Sequence, residues 1–400
     1  MNEDAVVIVG AARTPMGAFQ GELASVSATE LGAGAIAAAL ARSGLGPGDV
    51  DEALMGCVLP AGLGQAPARQ AAIGAGLPVS TPCTTISKVC GSGMRAVMFA
   101  HDALVAGTAG TVVAGGMESM SNAPYLLAKA RGGYRIGHAK MLDHMMMDGL
   151  EDAYDVAPNG DRRSMGTFGE DCATHFQITR AAQDAFAVAS VERAKHAAES
   201  GLFDWEITPV RTGRAGAETE VASDEGPRRI AVSKIPSLRP AFRKDGTISA
   251  ASSSSINDGA AALVLTRRSD AERRGLEPLA RIVGHAAHAG EPGWFTTAPI
   301  AAMDRLAAKI GWRLDDVDLF EINEAFAVVP MAAMIERGLP HAKVNVHGGA
   351  CALGHPIGAS GARILVTLLG ALRARDLRRG IASICIGGGE ATAVAIETLQ

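Results

Sequence analysis

The sequence predicts an α/β fold that consists of two similar, duplicated halves with mainly parallel sheets and an inserted loop domain. Strand-like and helix-like segments alternate along the chain, which is typical of sheets covered by helices on their faces. Four short patterns recur in the same order at an offset of roughly 270 residues, which indicates an internal duplication. The segment 121–249 has no counterpart in the second half.

The repeated patterns are glycine-rich and combine strand and helix signals. They pair residues 6–11 with 281–286, 49–51 with 316–318, 90–93 with 358–361, and 112–118 with 384–390. Unrelated βα units with similar turns would also give short matches, but four matches in register favour duplication. We therefore expect three units: 1–120 with 250–270, the loop domain 121–249, and 271–400.

The third pattern opens a helix in each half. Apolar residues recur three and four positions apart over 94–105 and again over 364–372, which predicts helices buried on one face. Gly107 is expected to end the first helix and Gly380 the second. The runs TVVAGG and IASICIGG then predict buried strands, and the latter is expected to be the last strand.

Composition and charge exclude several classes of protein. Acidic residues number 42 and basic residues 37, without a basic block, which argues against nucleic acid as the partner. No apolar stretch is long enough for a membrane span, and the N-terminus lacks signal or transit features, so a cytoplasmic location is expected. Six cysteines without C-x-x-C spacing argue against a disulfide framework and a structural zinc site, so no metal is expected.

Cys90 is the first candidate for chemistry. It lies in the run SKVCGSGM, just before a predicted helix. The unpaired N–H groups and partial positive charge of a helix start favour thiolate over thiol. A buried cysteine that happens to precede a helix would look similar, but the flanking glycines and a second cysteine favour a nucleophile.

Three further residues lie on loops or at strand ends. His355 is on a glycine-rich loop at a helix start, where a neutral imidazole can accept a thiol proton, or simply bond to loop carbonyls. Cys385 ends a buried strand before three glycines and could equally be a core cysteine. Asn323 follows the strand 318–322, where its amide can position a water or cap a helix. If the halves are pseudo-symmetric, these groups can converge on one pocket.

Four segments together resemble the thiolase family. They are VCGSGM at 89–94, NEAFA at 323–327, GHPIGASGA at 354–362 and CIGGG at 385–389, in the family's order and spacing. The resemblance extends to the opening GAARTPMGAFQG, to MESMSNAPY, to RPAFRKDGTISA and to INDGAAA, so it covers essentially the whole chain.

The resemblance implies a thiolase fold, acyl-CoA and CoA as substrates without a separate cofactor, and a homotetramer or homodimer. It implies that Cys90 becomes acylated, that His355 activates Cys90, and that Cys385 exchanges a proton with C2 of the substrate. Asn323 would position an oxyanion-hole water. The N–H groups of Cys90 and Gly387 would form a second oxyanion hole.

The resemblance also implies that CoA lies against the loop domain. Substrate contacts are expected from Ser254, Arg228, Met165, Phe242 and Phe326. The chain departs from many family members at Ser164, where His is frequent, in the serine run 252–255, and at His347, where Asn is frequent. The first two of these departures concern acyl-chain preference and CoA contacts rather than the catalytic set.

Four functions are consistent with such a chain. An acetyl-CoA acetyltransferase is favoured, and a broader 3-ketoacyl-CoA thiolase of fatty-acid breakdown is the alternative. A decarboxylating condensing enzyme generally has His or Asn in place of Cys385. A non-catalytic CoA carrier would not need the complete set of catalytic residues.

Overall fold

The computed structural model describes residues 4–214 and 216–399. Its strands are β1 (Val6–Arg13), β2 (Gly17–Ala18), β3 (Glu52–Gly56), β4 (Cys83–Ile86), β5 (Thr111–Ser119), β6 (Tyr125–Leu126), β7 (Leu142–Asp143), β8 (Glu151–Val156), β9 (Arg162–Ser164), β10 (Val210–Arg214), β11 (Ala217–Val221), β12 (Asn257–Arg267), β13 (Ala280–Ala289), β14 (Leu319–Ile322), β15 (Arg379–Ile386) and β16 (Glu390–Thr398).

The α-helices alternate with the strands of the large sheet. They are α1 (Ala28–Ser43), α2 (Pro67–Gly74), α3 (Ser92–Ala106), α4 (Met165–His175), α5 (Arg180–Glu199), α6 (Glu225–Arg229), α7 (Arg268–Arg274), α8 (Ala298–Ile310), α9 (Val328–Arg337), α10 (Ala350–Leu353) and α11 (Ser360–Ala374). None of the helices in the described part of the chain has the length and apolar character needed to cross a membrane.

The predicted duplication is confirmed by the order of strands in the large sheet, β14-β15-β16-β13-β1-β12-β5-β3-β4. Outward from β1 come β12, β5 and β3, and outward from β13 come their counterparts β16, β15 and β14. Both central strands are irregular at the same place, between Ile8 and Gly10 in β1 and between Ile282 and Gly284 in β13. The two halves therefore share one plan and meet where β1 pairs with β13.

The α/β class is as predicted, but the pairing of strands is mixed. The pairs β3–β4, β3–β5 and β14–β15 are parallel. The five pairs nearer the centre, from β15–β16 to β12–β5, are antiparallel. The sequence predicted mainly parallel sheets because it did not separate the strands β12 and β16, which return antiparallel to the centre of each half.

The helices form three layers around the two halves of the sheet. Helices α3 and α11 share the central apolar cluster with the inner faces of both halves. Helix α1 with α2 covers the outer face of the first half, and α8 with α9 covers the outer face of the second half. The central helices are therefore shielded from solvent on most sides, and their N-terminal ends lie inside the protein.

Glycine ends the first central helix but not the second. Gly107 follows α3 in the left-handed conformation, as predicted. Helix α11 ends at Ala374, and Gly380 lies inside β15, so the prediction that Gly380 ends the helix is wrong. A Cβ atom on Gly380 would lie 2.9 Å from methyl groups of Leu368 and Leu372, so glycine is required there for close contact between helix and strand.

The segment between β5 and β12 contains α4, α5 and α6 and three small hairpins, β6/β7, β8/β9 and β10/β11. Helix α4 packs on α9 and α5 packs on α10, so the segment lies over the second half. It is also joined to the first half, because the fully buried Arg13 donates to Glu206 at 2.6 Å and to Asp224 at 2.7 Å.

The starts of α3 and α11 touch through glycine backbone. A Cβ atom on Gly361 would lie 2.4 Å from the backbone nitrogen of Met94, and one on Gly93 would lie 2.9 Å from the nitrogen of Ala362. Two backbones can approach this closely only where neither carries a side chain. These glycines bring the two helix starts, and the turns before them, into direct contact.

Replacement of Gly361 by Ala is expected to lower the free energy of unfolding by about 1–3 kcal/mol, because the added methyl group overpacks a rigid backbone contact. Gly34→Ala in α1 is the matched control, since a Cβ atom there would have no atom within 4 Å. That control should raise the free energy of unfolding by about 0.5–1 kcal/mol. Denaturant unfolding of both variants measures the effects, and equal stability of the two would contradict the close contact.

Candidate active site

Three glycine-rich turns meet at the starts of the central helices. The turn before α3 contains Cys90, the turn after β15 contains Gly387, and the loop before α11 contains His355. A Cβ atom on Gly91 would lie 2.4 Å from Cδ1 of Ile386, so the first two turns are in contact. The structure therefore brings together the cysteine, histidine and glycine motifs that the sequence singled out.

An ion pair between Lys88 and Glu390 also joins the first two turns. Its partners lie 302 positions apart in the sequence, one on each side of the duplication. Lys88 comes two residues before Cys90, and Glu390 begins β16 just after the glycine turn. The pair therefore holds the two cysteine-bearing turns at a fixed separation.

The Cys90 turn is held in a strained conformation. Val89 has φ of 44°, in the left-handed region that a β-branched residue rarely adopts. The Oγ of Ser92 accepts from the N–H of Lys88 at 2.8 Å and donates to the carbonyl of Val89 at 2.7 Å, which closes the turn. Backbone strain of this kind is concentrated at functional sites. Sequence reasoning did not single out Val89, because its strain leaves no pattern in the chain.

The Cys90 sulfur faces two backbone N–H groups but is not a thiolate at rest. Burial raises the pKa of the Cys90 thiol to about 11, while the N–H groups of Gly387 and of Cys90 itself lower it. The helix start that the sequence indicates favours the thiolate, but desolvation among the surrounding turns outweighs it. With its pKa raised, the thiol would need a base before it could act as a nucleophile.

His355 has the tautomer required of such a base. Its Nδ1 lies 2.6 Å from Oγ of Ser360, and that Oγ donates its own proton to the carbonyl of Pro356 at 2.9 Å. With the Ser360 proton directed to the Pro356 carbonyl, Nδ1 carries the ring proton, which leaves Nε2 as a free acceptor. Nε2 is buried and has no partner among the described residues. Burial, together with the nearby Arg363, lowers the pKa of His355 to about 3, so the ring is neutral.

The His355 loop is fixed by two side chains that sequence reasoning did not assign. Oδ1 of Asn257 accepts from the His355 N–H at 3.2 Å. Glu118, fully buried at the end of β5, accepts from the N–H groups of Gly358 at 2.9 Å, Val58 at 3.0 Å and Leu59 at 3.1 Å. Burial raises the pKa of Glu118 to about 7 against these donors. Asn257 lies in the motif INDGAAA and Glu118 in the motif MESMSNAPY, but the sequence does not show which N–H groups they bind.

Cys385 lies at the end of β15, fully buried and next to Cys90. Burial and the neighbouring Cys90 thiol raise the pKa of Cys385 well above its ordinary value. The prediction that this strand is the last one is wrong. β16 follows it after a turn at Gly388 and Gly389, which have φ of 91° and 84°. Cys385 is therefore held in the β-hairpin that β15 and β16 form.

Asn323 follows β14 and directs a free amide into the interior. Its Oδ1 and Nδ2 are both buried without a partner among the described residues. It does not cap a helix, since α9 begins five positions later at Val328. The next residue, Glu324, accepts from Ser190, Asn345 and the N–H of Cys351, which anchors the segment. An unpartnered buried amide of this kind is suited to hold a water or a polar substrate atom.

The three apolar residues expected to contact substrate lie together near Cys385. Met165 and Phe242 pack against the apolar cluster that contains Phe326 and Cys385. The rings of Phe242 and Phe326 meet edge to face with centroids 5.7 Å apart. A Cβ atom on Gly387 would lie 3.5 Å from Sδ of Met165. These side chains form a wall beside the glycine turn.

A mainly apolar cavity of about 410 Å³ lies between the stretch 226–238 of the loop segment, the stretch 250–255 and Cys351. Its lining includes Arg229, Lys234, Ala251, Ser255 and Cys351. Ser255 connects it to the site, because the carbonyl of Ser255 accepts from the His355 N–H at 3.3 Å. Apolar walls with two cations suit an extended ligand that carries phosphate groups.

Two predicted CoA contacts differ in their placement. Ser254 is half-buried beside Ser255, and its N–H donates to the carbonyl of Ala325 at 2.9 Å. Arg228 does not line the cavity; it points outward and pairs with Glu22 at 2.6 Å. The structure presents the adjacent Arg229 instead, because neighbouring residues of a helix point in different directions.

Known proteins define the class to which this fold and site belong. The family described as "Thiolase, N-terminal domain" matches residues 6–269, and "Thiolase, C-terminal domain" matches residues 276–398. The chain belongs to the thiolase family.

Among its relatives, Acetyl-CoA acetyltransferase 2 of Arabidopsis thaliana is 51% identical, with 100% of this chain and 98% of that protein covered. The acetyl-CoA acetyltransferase of Cupriavidus necator is 49% identical over 98% of this chain and 99% of its own. The crystal structure of the Bacillus anthracis acetyl-CoA acetyltransferase is 41% identical and has a TM-score of 0.95, with 99% of each chain covered. The Acat5 thiolase from Ascaris suum in complex with coenzyme A has 41% identity and a TM-score of 0.92, covering 99% of this chain and 100% of its own.

Ser360→Ala is expected to lower kcat for acyl-CoA turnover by about 10- to 100-fold, because one buried hydrogen bond that holds His355 contributes on the order of 1–3 kcal/mol. Ser43→Ala is the matched control, since Oγ of Ser43 is buried and donates to the carbonyl of Leu40 far from the site. Steady-state kinetics measures kcat of both variants, and thermal unfolding shows whether either variant has lost stability. Full activity of Ser360→Ala would contradict the assigned tautomer.

Proposed function

We propose that the protein catalyses the reversible condensation of two acetyl-CoA molecules to acetoacetyl-CoA and CoA. The observation that carries this proposal is the second buried thiol, Cys385, beside Cys90 at the converging turns. Acyl transfer alone needs one nucleophile, whereas carbon–carbon bond formation also needs a group that removes a proton from carbon. The names of the relatives support the same reaction.

The first half-reaction is acyl transfer to Cys90. Nε2 of His355 accepts the thiol proton as the sulfur attacks the thioester carbonyl, and the carbon–sulfur bond to CoA then breaks. The proton returns to the departing CoA thiolate. Because the pKa of Cys90 is raised to about 11 and that of His355 is lowered to about 3, proton transfer is expected to accompany attack rather than to precede it.

The second half-reaction forms the carbon–carbon bond. Nε2 of His355 takes the Cys385 thiol proton as the Cys385 sulfur removes a proton from C2 of the second acetyl-CoA, and the enolate oxygen is held by a water positioned by Asn323 and by the protonated His355. The enolate carbon attacks the acyl group on Cys90. The N–H groups of Cys90 and Gly387 then hold the tetrahedral oxyanion, which collapses with cleavage of the carbon–sulfur bond to Cys90 and releases acetoacetyl-CoA, and the Cys90 thiolate takes back a proton from Nε2 of His355.

CoA is proposed to occupy the 410 Å³ cavity, with its pantetheine arm directed past Ser255 and Ser254 toward His355. Arg229 and Lys234 are the cations that line it, so they replace Arg228 as the candidate phosphate contacts. No further cofactor and no catalytic metal are required by these steps.

A short acyl group is favoured over a long one by the wall beside Gly387. Met165, Phe242 and Phe326 pack together there, and a Cβ atom on Gly166 would lie 2.2 Å from the Phe242 ring, so this ring also packs closely on the start of α4. The alternative function, a broader 3-ketoacyl-CoA thiolase of fatty-acid breakdown, requires a channel for a longer chain at the same place.

Thiolysis rates of 3-ketoacyl-CoA substrates from four to sixteen carbons decide between the two functions. We expect kcat/KM for acetoacetyl-CoA to exceed that for the ten-carbon substrate by on the order of 100-fold, since several methylene groups must be accommodated by displacing packed side chains. Comparable values across the series would favour the broader enzyme. Absence of thiolysis for every substrate would contradict the proposed function itself.

We further propose that the protein forms homo-oligomers, as a tetramer or a dimer. Exposed apolar side chains are concentrated in one stretch of the loop segment, where Ile136 is 100% exposed and Tyr125 and Met141 are each 64% exposed. Such a concentration is typical of a protein–protein contact. A cytoplasmic location and a place in fatty-acid metabolism remain predictions.

A further inference from the structure

A cluster of two histidines and one aspartate lies away from the catalytic turns. His101 and Asp102 are on α3, about 14 Å along the helix from its first residue. His285 is on β13 in the other half of the protein. One ligand atom from each side chain lies within 4.8 Å of the other two, and among the residues described this is the one group of three His, Cys, Asp or Glu side chains with that property.

The distances within the cluster match those around a bound transition metal. Oδ1 of Asp102 lies 2.8 Å from Nε2 of His285 and 3.2 Å from Nδ1 of His101. Metal–ligand bonds of about 2.0–2.1 Å at angles between octahedral and tetrahedral place neighbouring ligand atoms about 2.9–3.4 Å apart. Two of the three separations therefore need almost no adjustment.

One cation lies beside the cluster. Nζ of Lys309 donates to the carbonyl of His285 at 3.1 Å rather than to the ring, so it does not occupy the ligand atoms of the cluster.

Solvent access and the types of ligand atom indicate which metal ions the cluster can bind. Asp102 has a side chain 52% exposed, so an ion can enter from solvent and keep bound water on its open side. Two imidazole nitrogens with a single carboxylate oxygen suit Zn²⁺, Co²⁺ or Ni²⁺, whereas Ca²⁺ and Mg²⁺ prefer sites made of oxygen. The sequence predicted no metal because it contains no closely spaced cysteines, and a site whose members lie 183 positions apart has no local pattern.

We propose that His101, Asp102 and His285 form a binding site for a divalent transition metal that joins α3 of the first half to β13 of the second. The site is separate from the thiols, and its ion takes no part in the condensation reaction. Its effect is structural, because a ligand that binds only the folded chain stabilises it.

Co²⁺ is the probe, since its visible absorption distinguishes thiolate ligands from nitrogen and oxygen ligands. The wild type and the variants Asp102→Asn and His285→Gln are first treated with a chelator. Binding of Co²⁺ to each is then measured by equilibrium dialysis, and absorption spectra are recorded. His138→Gln is the matched control, because His138 is an exposed histidine outside the cluster. We expect one equivalent per chain in the wild type and in the control, without a thiolate charge-transfer band, and binding at least about 10-fold weaker in the two cluster variants.

The proposal is overturned if the wild type does not bind one equivalent, or if both cluster variants bind as tightly as the control. It is also overturned if the bound Co²⁺ shows thiolate charge transfer, which would place the ion on cysteine sulfur rather than at the cluster. Thermal unfolding with and without Co²⁺ is an independent measurement, and the midpoint should rise in the wild type but not in His285→Gln. Acyl-CoA turnover of each variant without added metal shows that it is folded.

Discussion

The close contact between the starts of α3 and α11 is the constraint on which the rest of the structure depends. Gly93 and Gly361 let backbone meet backbone there, and the same contact brings the Cys90 turn beside the loop of His355. Glu118 reinforces it by accepting from the N–H of Gly358 across the boundary between the two halves. The duplication gives two similar helix starts. Their pseudo-symmetric packing places the Cys90 turn and the His355 loop, which differ in chemistry, in one site.

Desolvation is the second feature that shapes the chemistry. Burial raises the pKa of both thiols and lowers that of His355, so the resting site contains neutral groups despite two helix starts that favour anions. Ser360 fixes which nitrogen of His355 is free. In the proposed reaction, such a site carries charge only while a substrate is reacting, when an oxyanion develops beside the N–H groups of Cys90 and Gly387.

Much of this arrangement could be predicted from the sequence, because duplication and the glycine turns leave local patterns. What could not be predicted depends on packing between distant residues. Gly380 looked like a helix end, but it admits Leu368 and Leu372 onto a strand. Arg228 matched a CoA contact by position, yet its helix directs it to Glu22 and presents Arg229 to the cavity. The strain at Val89 and the proton donated by Ser360 appear only in three dimensions.

The division of work between the two thiols is the central claim, and Cys385→Ser tests it most directly. After brief incubation of this variant with acetyl-CoA in deuterated buffer, peptide mass spectrometry should find the acetyl group on Cys90. Exchange of the C2 hydrogens and condensation should both fall by on the order of 10²–10⁴-fold, the usual contribution of general acid–base catalysis. Condensation by Cys385→Ser at nearly the wild-type rate would contradict the account and would require another base at carbon.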